Sequence, residues 1–265
     1  MVTVVDWPGI STIFLNQRAV DAAQQFSLTT AVSADTPEMQ ARKQEEMELA
    51  DLIITCSDFH ARTLRDQGFP SEKLRVIPLW VDASFWRPPS KRTVSKSGPL
   101  RVLYAGKINI RKGVPYLVQA AIACGRAIEL TIVGKIDDEL RTFFKDYEGK
   151  VKLEPACTKD ELRNHFHAHD LLVLPSLGDS FGFIALEAMA CGLPVIVSEN
   201  CGVPVPDSSW RVPIMDTDSI ACRLTLYAEN RDLIREHGAI AVNFAQQFTP
   251  GRYREEIKGL FKQVG

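Results

Sequence analysis

No two of the six cysteines (Cys56, Cys124, Cys157, Cys191, Cys201, Cys222) stand at the C-x-x-C spacing that a zinc site or a redox pair needs, so they read as thiols of a packed interior. Long apolar runs are missing too. Stretches such as Leu171-Leu-Val-Leu-Pro175 fall far short of the ~20 residues that cross a bilayer. Nor is there an excess of one charge: 31 Lys+Arg against 33 Asp+Glu leaves −2, too little to steer the whole chain towards nucleic acid or anionic lipid. Any anion site must therefore be local. The opening Met1-Val-Thr-Val-Val-Asp6 has no basic region and meets an acid at once, unlike a signal peptide. The expected location is the cytoplasm, including the periphery of a membrane. Three single-motif signatures are also absent: G-x-G-x-x-G after a strand, G-x-x-x-x-G-K-[ST] and G-x-S-x-G. That weakens dehydrogenase, P-loop ATPase and hydrolase readings alike.

What is present is an ordinary globular composition, 45% hydrophobic and 24% charged over 265 residues, which excludes disorder, collagen and coiled coil. Short apolar runs without polar alternation, at 101–105, 129–133, 170–175 and 194–198, have the character of strands buried on both faces. Helical stretches at 114–125, 137–147, 159–168 and 182–192 alternate with them, the third opened by the capping-box pattern Thr158-Lys-Asp-Glu161. This alternation predicts a doubly wound α/β domain with a parallel sheet. Upstream, 51–56 and 74–78 read as strands around a helix at 58–68, with another helix at 38–50. The Pro- and Ser-rich segment 88–99 reads as a linker, with the boundary near residue 95. Beyond the Thr249-Pro-Gly251 break, Tyr253, Ile257, Leu260 and Phe261 share one face of a terminal helix. The expected division is 1–95, 96–247 and a helix in 248–265 that returns to the first part.

Two segments concentrate chemistry. Tyr104-Ala-Gly-Lys-Ile-Asn-Ile-Arg-Lys-Gly113 follows a strand, turns at Gly106 and gathers Lys107, Arg111 and Lys112 in one loop. Ligands of open α/β sheets lie beyond the carboxyl ends of strands, so three cations there suit an anion such as a diphosphate. A merely solvated basic loop accounts for this segment equally well. The second runs from Pro175 to Pro194, with Asp179 and Glu187 eight positions apart and Gly182 opening the helix that carries Glu187. Free N–H groups at 181–184 and the helix dipole would favour phosphate or sugar oxygens. Glu187 could accept from the vicinal hydroxyls of a ribose. Close helix–sheet packing explains the surrounding alanines but not a Glu among them. Asp216-Thr-Asp218 precedes a helix at 219–227 and reads as its N-cap rather than a metal motif. His165 and His169 read as solvated imidazoles at a helix end, and no metal site is expected.

Together these residues resemble the retaining nucleotide-sugar glycosyltransferases of group 1, or family four. The matching stretches are Glu48-Leu-Ala-Asp-Leu-Ile-Ile-Thr-Cys-Ser57, Lys73-Leu-Arg-Val-Ile-Pro-Leu-Trp-Val-Asp82, Phe85 and Pro88, Gly106-Lys107, Lys112-Gly113, Ile132-Val-Gly134 and, above all, Pro175 to Val195. They run in order over residues 45–265. The resemblance implies a glycosyltransferase-B fold of two Rossmann-like doubly wound α/β domains, the first incomplete here. It assigns Lys107 and Lys112 to the donor diphosphate and Glu187 to the ribose. Asp179 and the backbone of Phe181, Gly182, Phe183 and Ile184 would hold sugar and phosphate, with Gly106, Arg111 and Gly134 completing the donor site. Asp179 stands where the family usually has Glu, and Lys107 where Arg is common, which bears on donor preference. The donor is then a nucleoside-diphosphate sugar, used without metal or other cofactor. The acceptor (glycan, lipid or small molecule) and the nucleotide base stay open. At the front, the family's glycine-rich acceptor loop has no counterpart, and no histidine precedes His60. A catalytically weak donor-binding subunit or fragment, completed by a protein partner or by self-association, is therefore the alternative, and a related sugar epimerase a weaker third.

Overall fold

The computed structural model describes residues 2–6, 9–10, 12–29, 36–92, 94 and 97–264. Two parallel sheets form its frame. The smaller has the order β1-β2-β3, from β1 (Val4–Asp6), β2 (Leu52–Thr55) and β3 (Leu74–Val76). The larger has the order β6-β5-β4-β7-β8-β9, built from β4 (Leu100–Ala105), β5 (Ile128–Val133), β6 (Lys152–Glu154), β7 (Leu171–Leu174), β8 (Val195–Ser198) and β9 (Arg211–Val212). The central strands β7 and β8 are buried at every position, as strands covered by helices on both faces must be. The order reverses at β4, whose neighbours are β5 and β7, and there the carboxyl ends of the strands leave a crevice.

Helices lie between the strands: α1 (Thr12–Gln25), α2 (Pro37–Leu49), α3 (Asp58–Arg65), α4 (Val114–Ala123), α5 (Arg141–Lys145), α6 (Lys159–Ala168), α7 (Phe183–Ala190), α8 (Thr217–Glu229), α9 (Asp232–Ala245) and α10 (Pro250–Val264). Local chemistry sets several of their starts. Thr158 and Glu161 form the expected capping box of α6, and Asp216 caps α8 by accepting from Ser219 N at 2.8 Å. Where a helix was expected over 137–147, a 3-10 turn at 138–140 leads into the five residues of α5. Among the described residues no helix is long and apolar enough to cross a membrane.

Five elements were not legible in the sequence: β1, β6, β9, α1 and α9. Helix α1 buries Ala19, Ala22 and Ala23 in the same core as Leu103, Leu117 and Ile132 of the larger sheet and its helices. Phe26 behind it meets Tyr116 edge-on at 4.9 Å, and the Tyr116 hydroxyl donates to Gln25. At the other end of the chain, Tyr253, Ile257 and Leu260 of α10 cover Leu52, Ile54 and Ile77 of the smaller sheet. Phe261, expected on that face, is instead 53% exposed, because so narrow a sheet offers few apolar side chains. The boundary expected near residue 95 lies outside the described residues.

Two other expectations need correction. His165 and His169 are not solvated: strand β6 brings Glu154 within 3.3 Å of His165 Nε2, and His169 Nδ1 is 2.8 Å from the His165 carbonyl. Burial, ahead of its other surroundings, lowers the His169 pKa. Among the cysteines only Cys56, Cys191 and Cys201 are core thiols. Cys124 and Cys157 are half-buried, and Cys222 is exposed on α8. Among the described residues no three His, Cys, Asp or Glu side chains gather as a metal site.

Candidate functional site

At the carboxyl end of β4 the chain turns at Gly106 and runs over a loop that its own polar groups hold in place. Tyr104, fully buried, donates from its hydroxyl to the Lys107 carbonyl at 2.6 Å. Asn109 accepts from Lys112 N at 3.0 Å and donates to Asp137 at 3.1 Å, while Glu139 accepts from Ile110 N at 2.9 Å. This rigid loop aims two lysines differently. Lys112 Nζ lies 2.6 Å from Asp179 Oδ2 across the crevice, both side chains being largely buried. Lys107 Nζ lies 3.0 Å from Asp137 and is 60% exposed.

Asp179 is fixed from behind, since its N–H donates to the Asn200 carbonyl at 2.9 Å and the Asn200 amide donates to Leu177 O at 3.0 Å. Three residues on, Gly182 takes a left-handed conformation (φ 81°) and starts α7 without a side-chain cap. The N–H groups of Gly182, Phe183 and Ile184 have no hydrogen-bond partner among the described residues. Phe181 N–H differs from expectation, because Asp179 Oδ1 accepts from it at 3.4 Å. Unpaired donors at a helix start are a ready seat for an anion.

These groups line one cavity of about 350 Å³, closed on the other side by Leu79 beyond β3. Gly106, Lys107, Lys112, Asp179 and the 181–184 backbone all reach it. Arg111, Gly134 and Glu187 do not. Arg111 offers its carbonyl to Leu177 N at 2.9 Å. Gly134 backs the loop, where a Cβ would fall 1.8 Å from the Gly106 carbonyl oxygen, so only glycine lets β5 approach so closely. Glu187 is half-buried in the second turn of α7, and burial pushes its pKa up to about 7 against the pull of Lys159. Its carboxyl is thus ready to ionise in response to a hydrogen-bonding ligand.

Sequence reasoning missed the contribution of the smaller sheet. Ser57, the N-cap of α3, donates from Oγ to the Ser180 carbonyl at 2.6 Å, and Cys56 Sγ reaches the same oxygen at 3.3 Å. The signal was available, since a Ser directly after a buried strand and before a helix sits at a carboxyl strand end. Cys56 also lies 3.6 Å from His60 Nδ1. Burial pushes the thiol up to about 11 and the imidazole down to about 4, so both are neutral and form no thiolate–imidazolium nucleophile.

Residues 99–230 match the family model described as glycosyl transferases, group 1. The chain is 30% identical over 191 residues to a D-inositol 3-phosphate glycosyltransferase of Pseudarthrobacter chlorophenolicus, a match covering 64% of this chain and 46% of that one. Among solved structures it is similar to sucrose-phosphate synthase from Thermosynechococcus elongatus, with a TM-score of 0.77 and 23% identity over 98% of this chain and 67% of the other. It is also similar to Anabaena HepE in complex with UDP, with a TM-score of 0.73 and 18% identity over 98% and 79%. These similarities place the chain in the glycosyltransferase-B fold. The chain spans about half to two thirds of the length of the curated relatives it matches. The crevice at the β4 reversal point lies within the residues that match the family model.

Proposed function

We propose that this chain transfers a sugar from a nucleoside-diphosphate sugar to an acceptor, retaining the anomeric configuration and using side-chain cations where other enzymes use a metal. The observation that carries this reading is the meeting of Lys112, Asp179 and the unpaired N–H groups of 182–184 in one cavity. A diphosphate there is an anion among a fixed cation, three donors and a helix dipole. As the sugar–phosphate bond breaks, charge develops on the leaving phosphate, and these groups are already in position to stabilise it. Lys107, more exposed, adds a second cation. Asp179 holds Lys112 in place and presents its remaining lone pairs to sugar hydroxyls. Glu187, once ionised, accepts from the ribose hydroxyls. The acceptor oxygen then attacks from the face that the phosphate leaves.

The smaller sheet has three strands among the described residues and presents little surface for positioning an acceptor, which favours a second reading, a donor-binding subunit with slow transfer of its own. One experiment separates the outcomes. UDP, GDP and ADP are titrated alongside their nucleosides, and the preferred donor is then followed by NMR for hydrolysis and transfer. Binding of a diphosphate at least tenfold tighter than its nucleoside, with a product of unchanged anomeric configuration, is expected. Equal affinity for nucleoside and diphosphate sinks the assignment of the lysines, and diphosphate binding without turnover selects the second reading.

A further inference from the structure

The 350 Å³ cavity has two unlike walls. Its charged and hydroxyl side chains, Lys107, Lys112, Ser176, Asp179 and Ser180, all come from the segments that follow β4 and β7 of the larger sheet. Tyr104 reaches the cavity from the same side, with its hydroxyl already donated to the Lys107 carbonyl at 2.6 Å. The side of the smaller sheet contributes one residue, Leu79, and no polar side chain. Phe183, at the first position of α7 and 50% exposed, adds apolar surface to the lining, its ring edge-on to Phe181 at 5.2 Å.

Leu79 is held in place from both directions along the chain. Two residues earlier, Ile77 N donates to the Thr55 carbonyl at 2.9 Å, and two residues later, Val81 N donates to the Phe248 carbonyl at 3.0 Å. Ile77 and Val81 are buried, and Leu79 itself is half-buried against the main core. A fixed apolar wall therefore stands across the crevice from the Lys112–Asp179 pair. A hexosyl group carries hydroxyls around its rim, and one buried without a partner costs free energy. Hydroxyls turned towards Asp179 find an acceptor, whereas a hydroxyl turned towards the Leu79 side chain finds none. That wall suits a sugar that presents carbon to it. Loss of a ring hydroxyl would only leave a gap there, but a C5 methyl in place of a hydroxymethyl projects from the ring and fills apolar space.

We propose that Leu79 reads the donor sugar, and that the preferred donor is a nucleoside-diphosphate 6-deoxyhexose with its C5 methyl against Leu79 and its diphosphate at the start of α7. The proposal rests on the transferase reading above and adds the class of sugar to it. Leu79 does no chemistry in this scheme. It selects, because the hydroxymethyl of an ordinary hexose would bring an oxygen to a wall that cannot pair it. An apolar pocket separates ligands that differ by one hydroxyl by about tenfold to a hundredfold, which sets the size of the effect to be measured.

The test is calorimetric titration of the full chain with UDP, GDP and ADP, each alone and as its glucose, 6-deoxyglucose, mannose and 6-deoxymannose donors. The donors of each pair differ only by the oxygen on C6. In the series whose nucleoside diphosphate binds, the 6-deoxy donor of the better-bound pair is expected to bind at least about tenfold tighter than its hexose counterpart. In Leu79→Asn and Leu79→Ser that ratio should fall below about threefold, because each side chain offers the C6 hydroxyl a partner. The ratio is the readout because a general loosening of the cavity weakens both donors alike and leaves it unchanged. Equal affinity of the unsubstituted chain for both donors of a pair, or a ratio that survives both substitutions, overturns the proposal and leaves the transferase reading standing. A chain that binds no nucleoside diphosphate overturns both. Loss of the bare nucleoside diphosphate together with its donors in both variants would show that Leu79 shapes the cavity as a whole, and overturns the proposal as well.

Discussion

Ser57 Oγ donates a 2.6 Å hydrogen bond to the carbonyl of Ser180, joining the smaller sheet to the loop that carries Asp179 into α7. The fit around that carbonyl is close: a Cβ at Gly202 would fall 2.0 Å from the same oxygen. Ser57→Ala leaves the carbonyl with the weaker Cys56 donor, so it should cost ~1 kcal/mol of stability and lower UDP affinity several-fold. Urea denaturation and UDP titration read the two effects. Unchanged UDP affinity would show that the loop keeps its shape without this contact.

Lys112→Ala should weaken UDP more than Lys107→Ala does. Lys112 shares a largely buried pair with Asp179, and its removal leaves that carboxylate facing the diphosphate without a partner. A charge-assisted bond of ~1.5–3 kcal/mol gives roughly a tenfold to hundredfold loss. Lys107, exposed beside Asp137, should cost less than about tenfold. Uridine affinity, measured alongside, should hardly move in either variant.

Glu187 predicts a pH dependence of definite sign. Its pKa is raised from an ordinary 4.5 to about 7, so between those values the folded protein holds a proton that the unfolded chain has lost. Stability should therefore fall as pH rises from about 4.5 to about 7, and the penalty should be complete above that. Glu187→Gln should remove this slope and be the more stable protein at pH 7.5. Ribose hydroxyls prefer the ionised form, so UDP affinity of the unsubstituted chain should rise from pH 6 to pH 8, and the variant should show weaker, pH-independent binding. Parallel stability profiles for the two proteins would remove Glu187 as the cause.

Asp216→Ala should destabilise without touching the donor. Its carboxylate accepts from Ser219 N at 2.8 Å and Ser219 Oγ at 2.6 Å, a cap worth ~0.5–2 kcal/mol. Thermal denaturation should show the loss, and UDP titration should show none. A metal requirement lost with this side chain would reverse the assignment.

Strands β4, β5, β7 and β8 of the larger sheet were legible because they are largely apolar runs between helices with local caps, as Thr158 and Asp216 provide, whereas the short, more polar edge strands β6 and β9 were not. That Lys107, Lys112, Asp179 and 181–184 come near one another was legible because each lies in the segment after the carboxyl end of β4 or β7, and the structure lines one cavity with them. Chain order could not reveal the pairing of Lys112 with Asp179, 67 residues apart, or the 124-residue reach of Cys56 to Ser180. Those contacts depend on how two sheets face each other. Helix α1 was hidden for a related reason: its buried face is alanine, whose small apolar contribution gives a weak period.

The alanine face of α1 has a thermodynamic consequence. Ala19, Ala22 and Ala23, with Val81 and Trp86, belong to one continuous apolar core with Leu117, Leu172 and Val195, so α1 cannot keep its packing when the larger sheet loses its own, whereas the strands of the smaller sheet pack in two clusters of their own. Helix α1 and the larger sheet should then unfold as one cooperative unit, in a calorimetric transition whose van't Hoff and calorimetric enthalpies agree. Trp86 fluorescence and far-ultraviolet circular dichroism should share one midpoint in urea. The crevice, spanned by a helix that follows one sheet and packs beneath the other, should open by small sliding movements rather than a wide swing, leaving donor entry to rearrangement of the loops at its mouth.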